Sequence, residues 1–210
     1  CCPAFVNLIK KQYPELAEHI STTISPMFAL SRLLKSEDPD TITVFIGPCI
    51  AKKSEVIDSI TFGGADYAMT YEELASMFEA KNIDPEECTE TLQQGSKFGK
   101  QYSVSGGVTA AVLETFKEAN KEVDLKVKTC SGALECKKAL MLLKVGKLPE
   151  DFIEGMACVG GCVNGPAMLG KSRTFLKDRN GQIAKADDRG VLENVAQYDE
   201  YGINMTRNHQ

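Results

Sequence analysis

A chain of 210 residues, 43% hydrophobic and 25% charged, has the composition of an ordinary globular protein with a sizeable core. A formal net charge of −5 with no basic cluster argues against a nucleic-acid partner, and no apolar run approaches the roughly 20 residues of a membrane span. Eight cysteines are many for a cytosolic protein but too irregularly placed for a secreted disulfide scaffold. With no signal-peptide pattern, the expectation is metal binding in a reducing, cytoplasmic compartment.

Taken in order, Pro3 suits the first turn of a helix, and Phe5, Val6, Leu8 and Ile9 recur at helical spacing. That puts Cys2 at a helix N-terminus, where the dipole favours a thiolate. Pro14 interrupts or restarts this helix. Ser25-Pro26 is a cap followed by proline and opens a second helix to about Leu34. Residues 41–46 are β-branched and apolar, predicting a buried strand that runs into Gly47-Pro48-Cys49. A second strand is expected over 66–70, and Thr70 with Glu73 forms a capping box for a helix over 71–80. Residues 93–107, rich in Gly, Ser and Lys, read as a long mobile loop.

A helix over 108–119 follows, then a strand over 124–129, with Ser131 as a cap and a helix over 133–143. A fourth strand over 152–157 delivers Cys158. Residues 172–190 are polar, with a turn expected at Asn180-Gly181, and 191–201 close the chain as a helix. Strands alternating with helices predict an α/β fold, with a mainly parallel sheet of about four strands flanked by helices.

The chemistry concentrates in Glu154-Gly155-Met156-Ala157-Cys158-Val159-Gly160-Gly161-Cys162-Val163-Asn164-Gly165-Pro166. A Cys-x-x-x-Cys pair alone is a weak signal. Cys1-Cys2-Pro3 and Pro48-Cys49 add thiols beside prolines at element ends. Cysteines far apart in sequence and placed on turns are what an iron–sulfur cluster needs, because thiolates must converge while backbone N–H groups stay free to meet the sulfurs. Carboxyl ends of parallel strands open into a crevice, so Cys49 and Cys158 meet if their strands are neighbours. Tetrahedral zinc is the alternative, although its ligands usually come in C-x₂-C pairs, and only spacings of one and four occur here. Cys88, Cys130 and Cys136 read as core fillers, the usual fate of a lone cysteine. Lys52-Lys53 would ordinarily be a solvated pair and Met156 a core side chain.

Three segments together resemble the signature motifs of the iron-only (FeFe) hydrogenase catalytic domain: Cys1-Cys2-Pro3, then Pro48-Cys49-Ile50-Ala51-Lys52-Lys53-Ser54-Glu55, then Glu154 through Cys162. Gly106-Gly107-Val108 matches a further family segment. The resemblance implies that Cys2, Cys49, Cys158 and Cys162 hold a four-iron cubane. It makes Cys162 the bridge to a two-iron subcluster bearing CO, cyanide and a dithiolate amine. Cys1 would relay protons, Lys52 would hydrogen-bond a cyanide, Glu55 would support Lys52, and Met156 would pack beside the di-iron unit; Ser21 falls where a relay serine is expected by counting from Cys2.

The implied activity is reversible H2 = 2 H+ + 2 e−, catalysed or sensed. The implied partners are H2 and protons, a ferredoxin-type electron carrier or accessory iron–sulfur domains, and hydrogenase maturation proteins. Residues 1–210 would be part of a two-lobed catalytic domain whose first lobe lies upstream of Cys1. Gly47, where well-known members carry methionine, and Gly165-Pro166-Ala167-Met168 after the last motif look like the family's divergent, sensory branches. The other class of expectation is a non-catalytic iron–sulfur protein resembling hydrogenase-like cluster-assembly factors.

Overall fold

The computed structural model describes residues 1–59, 62–87 and 95–207, apart from the side chains of 172 and 173. Cys2 is the N-cap of α1 (Pro3–Gln12), with proline in the first turn and Lys10 and Lys11 set against the C-terminal end of the dipole. Pro14, which has no N–H to continue the ladder, starts a tighter 3₁₀ turn over Pro14–His19. The Ser25 hydroxyl accepts the Phe28 N–H at 3.3 Å and opens α2 (Pro26–Glu37). Then come β1 (Val44–Ile46), α3 (Ala51–Ser59), β2 (Tyr67–Met69) and α4 (Tyr71–Lys81). The expected Thr70–Glu73 capping box is formed, and Asn82 ends α4 in the left-handed region at φ 52°. After α5 (Lys97–Gln101) and α6 (Gly107–Glu118) the chain enters β3 (Val127–Ser131), α7 (Ala133–Lys144), β4 (Phe152–Met156), α8 (Ser172–Ala184) and α9 (Val191–Ala196).

The α/β class with short parallel strands flanked by helices is the fold observed. The four strands, however, lie in two parallel pairs. In one, β1 pairs with β2, setting Val44 against Tyr67 and Ile46 against Met69. In the other, β3 pairs with β4, from Val127 against Phe152 to Ser131 against Met156. The helix carrying Cys2 joins them, since α1 packs on α3 from the first pair's side and on α7 and β4 from the second. Asn7 adds a side-chain tie, its Nδ2 donating to Ser54 Oγ of α3 at 2.9 Å. The buried core gathers around α7: Ile9, Leu16 and Leu140 in one cluster, Cys130, Cys136 and Ala139 in the next, with Phe5 and Leu8 packed against both. Cys130 and Cys136 are 0% exposed and fill core, as expected of them; Cys88 lies outside the described residues.

Four local expectations are corrected. Only 44–46 of the 41–46 stretch is strand, and Ile42, Val44 and Ile46 are exposed, because a two-stranded pair lacks the double cover that a wide sheet provides. Within 93–107, where 93 and 94 lie outside the described residues, the chain forms α5. The Ser96 hydroxyl takes the Gly99 N–H at 3.1 Å, and α5 packs on α6 and α8. Asn180-Gly181 lies inside α8, where Phe175, Leu176, Arg179, Gln182 and Ile183 form a half-buried stripe at helical spacing. That tertiary face overrides the local turn preference. Ser131 caps nothing: Gly132 takes the cap position of α7, and the serine hydroxyl faces the cysteine turn instead. Among the described residues, no helix is long and apolar enough to cross a membrane.

Candidate metal centre

Each cysteine of interest sits where an element starts or ends. Cys2 caps α1, its carbonyl accepting the Phe5 and Val6 N–H groups at 3.1 Å. Cys49 lies between β1 and α3; its carbonyl accepts Lys52 N–H at 3.3 Å, and the Ala51 and Lys52 N–H groups turn toward its sulfur. Cys158 follows β4, and Cys162 opens the 3₁₀ turn Cys162–Asn164.

The Cys158–Cys162 turn is held from every side. Gly161 N–H donates to Cys158 O at 3.1 Å, Gly160 N–H to Ser131 Oγ at 2.8 Å, and Cys162 N–H to Ser103 O at 2.7 Å. Gly161 has φ +107°, and a Cβ there would lie 2.4 Å from Ser103 O, so two independent constraints demand glycine. Beyond the turn, Ala167 N–H donates to Pro48 O at 3.1 Å, and a Cβ on Gly165 would lie 2.3 Å from that same carbonyl. The Cys162 turn is thereby docked against the Cys49 turn, backbone to backbone.

The consequence is electrostatic. Burial pushes the Cys162 thiol up to about 11, and the Cys2, Cys49 and Cys158 thiols each add to the rise. Cys158 is raised by burial and then by Cys2 and Cys49, and Cys49 by burial and also by Cys2. The four thiols share one neighbourhood. Among the described residues, no three His, Cys, Asp or Glu side chains close around a single ion. Zinc would draw four sulfurs to within about 3.8 Å of one another, given zinc–sulfur bonds of roughly 2.3 Å. A cubane instead takes one thiolate per iron, so its four sulfurs stand farther apart than those around a single zinc ion.

Lys52 is buried at the first turn of α3 and is no solvated surface residue. Its Nζ donates to Glu55 Oε2 at 2.6 Å and to Ser25 Oγ at 3.2 Å, and lies 5.7 Å from the centre of the Phe45 ring. The ammonium pulls the Cys49 and Cys162 thiols down, so its field reaches the site. Glu55 is buried too, with Oε1 unpartnered by protein. Met156 is buried at the end of β4; its carbonyl takes the Gly132 N–H at 2.7 Å and the Cys136 Sγ at 3.6 Å. Cys1 is exposed and, with Cys2, Ser21, Tyr102 and Arg207, lines a cavity of about 400 Å³. Ser21 is exposed and its hydroxyl accepts the Thr23 N–H at 3.2 Å.

Sequence reasoning missed three site residues. Ser25 reads as a helix cap, and its second use on Lys52 has no local signal. Ser131 reads as a cap and instead holds Gly160. Ser103 contributes only its carbonyl, which any residue carries.

The family described as iron only hydrogenase large subunit, C-terminal domain, matches residues 1–166. The periplasmic Fe hydrogenase large subunit of Nitratidesulfovibrio vulgaris is 34% identical over 216 residues, covering 81% of this chain and 51% of that protein. A cytosolic Fe-S cluster assembly factor, the NAR1 homolog of Schizosaccharomyces japonicus, is 23% identical over 252 residues, covering 80% of this chain and 48% of that protein. FeFe-hydrogenase HydA1 of Chlamydomonas reinhardtii has the same fold, with a TM-score of 0.70 at 20% identity over 100% of this chain and 72% of that one. The chain spans about half the length of the curated relatives it matches. With a match over 166 of its 210 residues, the chain belongs to the iron-only hydrogenase family, as a hydrogenase-like iron–sulfur domain of the C-terminal type.

Proposed function

We propose that this chain carries part of an H2-converting or H2-sensing centre. Cys2, Cys49, Cys158 and Cys162 would hold a four-iron cubane, and Cys162 would also join a di-iron unit bearing CO, cyanide and a dithiolate amine. The observation that carries this is the convergence of four thiols from three separate stretches of chain, with Cys2, Cys49 and Cys158 all close enough to raise the Cys162 thiol beyond what burial does. Such a group is unfavourable as four bare thiolates and fits a polycationic iron core, which inverts the local preference and keeps them deprotonated. The Ala51 and Lys52 N–H groups aimed at Cys49 Sγ are the donors that ligated sulfur wants. When bound, the di-iron group supplies an open iron and a basic amine between which H2 divides heterolytically.

The remaining work belongs to the protein. The Lys52 ammonium, desolvated and fixed by Glu55 and Ser25, offers its field and a charge-assisted hydrogen bond to an anionic ligand at the site. Glu55 keeps that ammonium aimed, as a positioning residue. Met156 excludes water with its apolar side chain. Cys1 Sγ, at the rim of the cavity, takes a proton from the site and hands it onward, with Ser21 on the same cavity wall. Electrons leave by way of a ferredoxin-type carrier or accessory iron–sulfur domains, and the di-iron unit comes from maturation proteins.

Similarity to a cluster-assembly factor favours a second reading, a cubane-only protein without hydrogen chemistry. Lys52 supports the first reading: its buried ammonium, held by Glu55 and Ser25, would offer a donor to a cyanide ligand, a role that a cubane alone does not call for. The deciding experiment loads the full-length protein with iron, sulfide and the synthetic di-iron cofactor and records its infrared spectrum. CO and cyanide bands, with H2-dependent changes, are expected. An intact cubane without those bands would leave the assembly-type reading.

A further inference from the structure

α6 begins without a side-chain cap of its own: its N-cap is Gly106, at φ +89°. The missing acceptor comes from another strand. Glu154, 4% exposed in β4 and in register with Thr129 of β3, accepts the Gly106 N–H on Oε1 at 2.7 Å. Its Oε2 accepts the Thr109 N–H at 2.8 Å and the Thr109 hydroxyl at 2.6 Å. These are the N-cap and N3 donors that a local capping box would satisfy, and the positive end of the helix dipole suits the carboxylate.

The segment leading into α6 is also the one that meets the cysteine turn. Ser103 O accepts the Cys162 N–H at 2.7 Å, Ser105 N–H donates to Gly160 O at 3.4 Å, and Val104 is bridged to Gly161. Gly107 N–H returns to Val104 O at 3.0 Å, so residues 103–107 form a tight link between the helix start and Cys162.

We infer that Glu154 is a positioning residue for the Cys158–Cys162 turn, acting through the α6 N-terminus to keep the Ser103 carbonyl on the Cys162 backbone N–H. With that N–H engaged by Ser103, it is withheld from the sulfurs of the site. Releasing the clamp frees the donor and admits water, and both changes raise the potential of a cluster held by Cys162. This functional consequence rests on the proposed ligation; the clamp does not.

The test uses the full-length protein with Glu154→Gln, Thr109→Val and Thr109→Ser. In the metal-free protein, amide hydrogen exchange is expected to quicken at 106–109 and also at 158–165 in E154Q, less in T109V, and not in T109S. Faster exchange confined to 106–109 would overturn the inference. In the cluster-loaded protein, E154Q is expected to start with full iron, lose it to a chelator about tenfold faster, and show a more positive midpoint potential. Unchanged loss and potential would overturn it as well. If the wild type takes up no cluster, the ligand assignment fails while the exchange experiment still decides the clamp. If E154Q does not fold, the T109V and T109S pair decides the question in its place.

Discussion

The two strand pairs are built on different physics. Around β3, β4 and α7 the protein is held by apolar burial: Cys130 and Cys136 have no exposed surface, and Leu140 and Ala139 next to none. Around β1, β2 and α3 several apolar side chains face outward, with Ile42 71% and Tyr67 62% exposed, and Val56 is the buried apolar residue of α3. Many of the buried groups there are polar. Ser31 and Thr43 hydroxyls share a 2.7 Å hydrogen bond, Asp66 accepts from Thr43 N–H at 2.7 Å and pairs with Lys35 at 2.8 Å, and Lys52 bonds Glu55 and Ser25. Lys35 holds the Asp66 carboxyl below its ordinary value, helped by the Thr43 N–H. One side therefore supplies rigidity and the other places charge. The candidate site lies where both meet at α1, taking two thiols from the end of β4, one from the end of β1, and one from α1 itself.

The largest effect is expected on the polar side. Lys52→Met leaves Glu55 buried without its cation, and should cost about 3–5 kcal/mol in urea unfolding. The double variant Lys52→Met with Glu55→Leu should recover most of that loss, and failure to recover would mean that packing, not charge, governs this side. Leu140→Ala tests the apolar side and should cost about 2–5 kcal/mol by the same measurement. If Leu140→Ala were neutral, the contrast between the pairs would collapse.

The third prediction concerns pH. Burial, reinforced by Cys130 and Cys2, pushes the Cys136 thiol up to about 12 from an ordinary value of 9.0. Between those values the folded protein binds the proton that the unfolded chain releases, so stability falls as pH rises through that window and is unaffected below it. Urea midpoints of the metal-free protein at pH 8 and pH 10 should show the decline, and Cys136→Ala should make it shallower, with Cys162 and the other raised thiols supplying the remainder. Iodoacetamide at pH 8 should likewise spare Cys136 in the native protein.

Smaller effects sharpen the picture near Lys52. A Cβ at Gly47 would lie 2.8 Å from the Phe45 ring, so the aromatic ring occupies the space a methionine side chain would need. Gly47→Met should therefore displace Phe45 from Lys52 and cost about 1–3 kcal/mol, whereas Gly47→Met with Phe45→Ala should cost less. Val44→Ala, on the open face of β1, should change stability by no more than about 0.5 kcal/mol.

Local devices and family membership were legible in the residues alone. The proline after Cys2, the Ser25-Pro26 cap, the Thr70–Glu73 box and the three cysteine motifs are short-range signals, and the folded chain keeps each in its place. Their chemistry is complete within a few residues, so no fold is needed to recognise them. Packing was required to show that four strands form two pairs, that α8 is a helix despite Asn180-Gly181, and that Ser131 holds Gly160. It was also required to reveal that Lys52 is buried against Ser25 and Glu55, and that Glu154 caps a helix it does not belong to. These depend on which surfaces meet, and a capping carboxylate or a carbonyl acceptor drawn from 45 to 59 positions away leaves no local pattern.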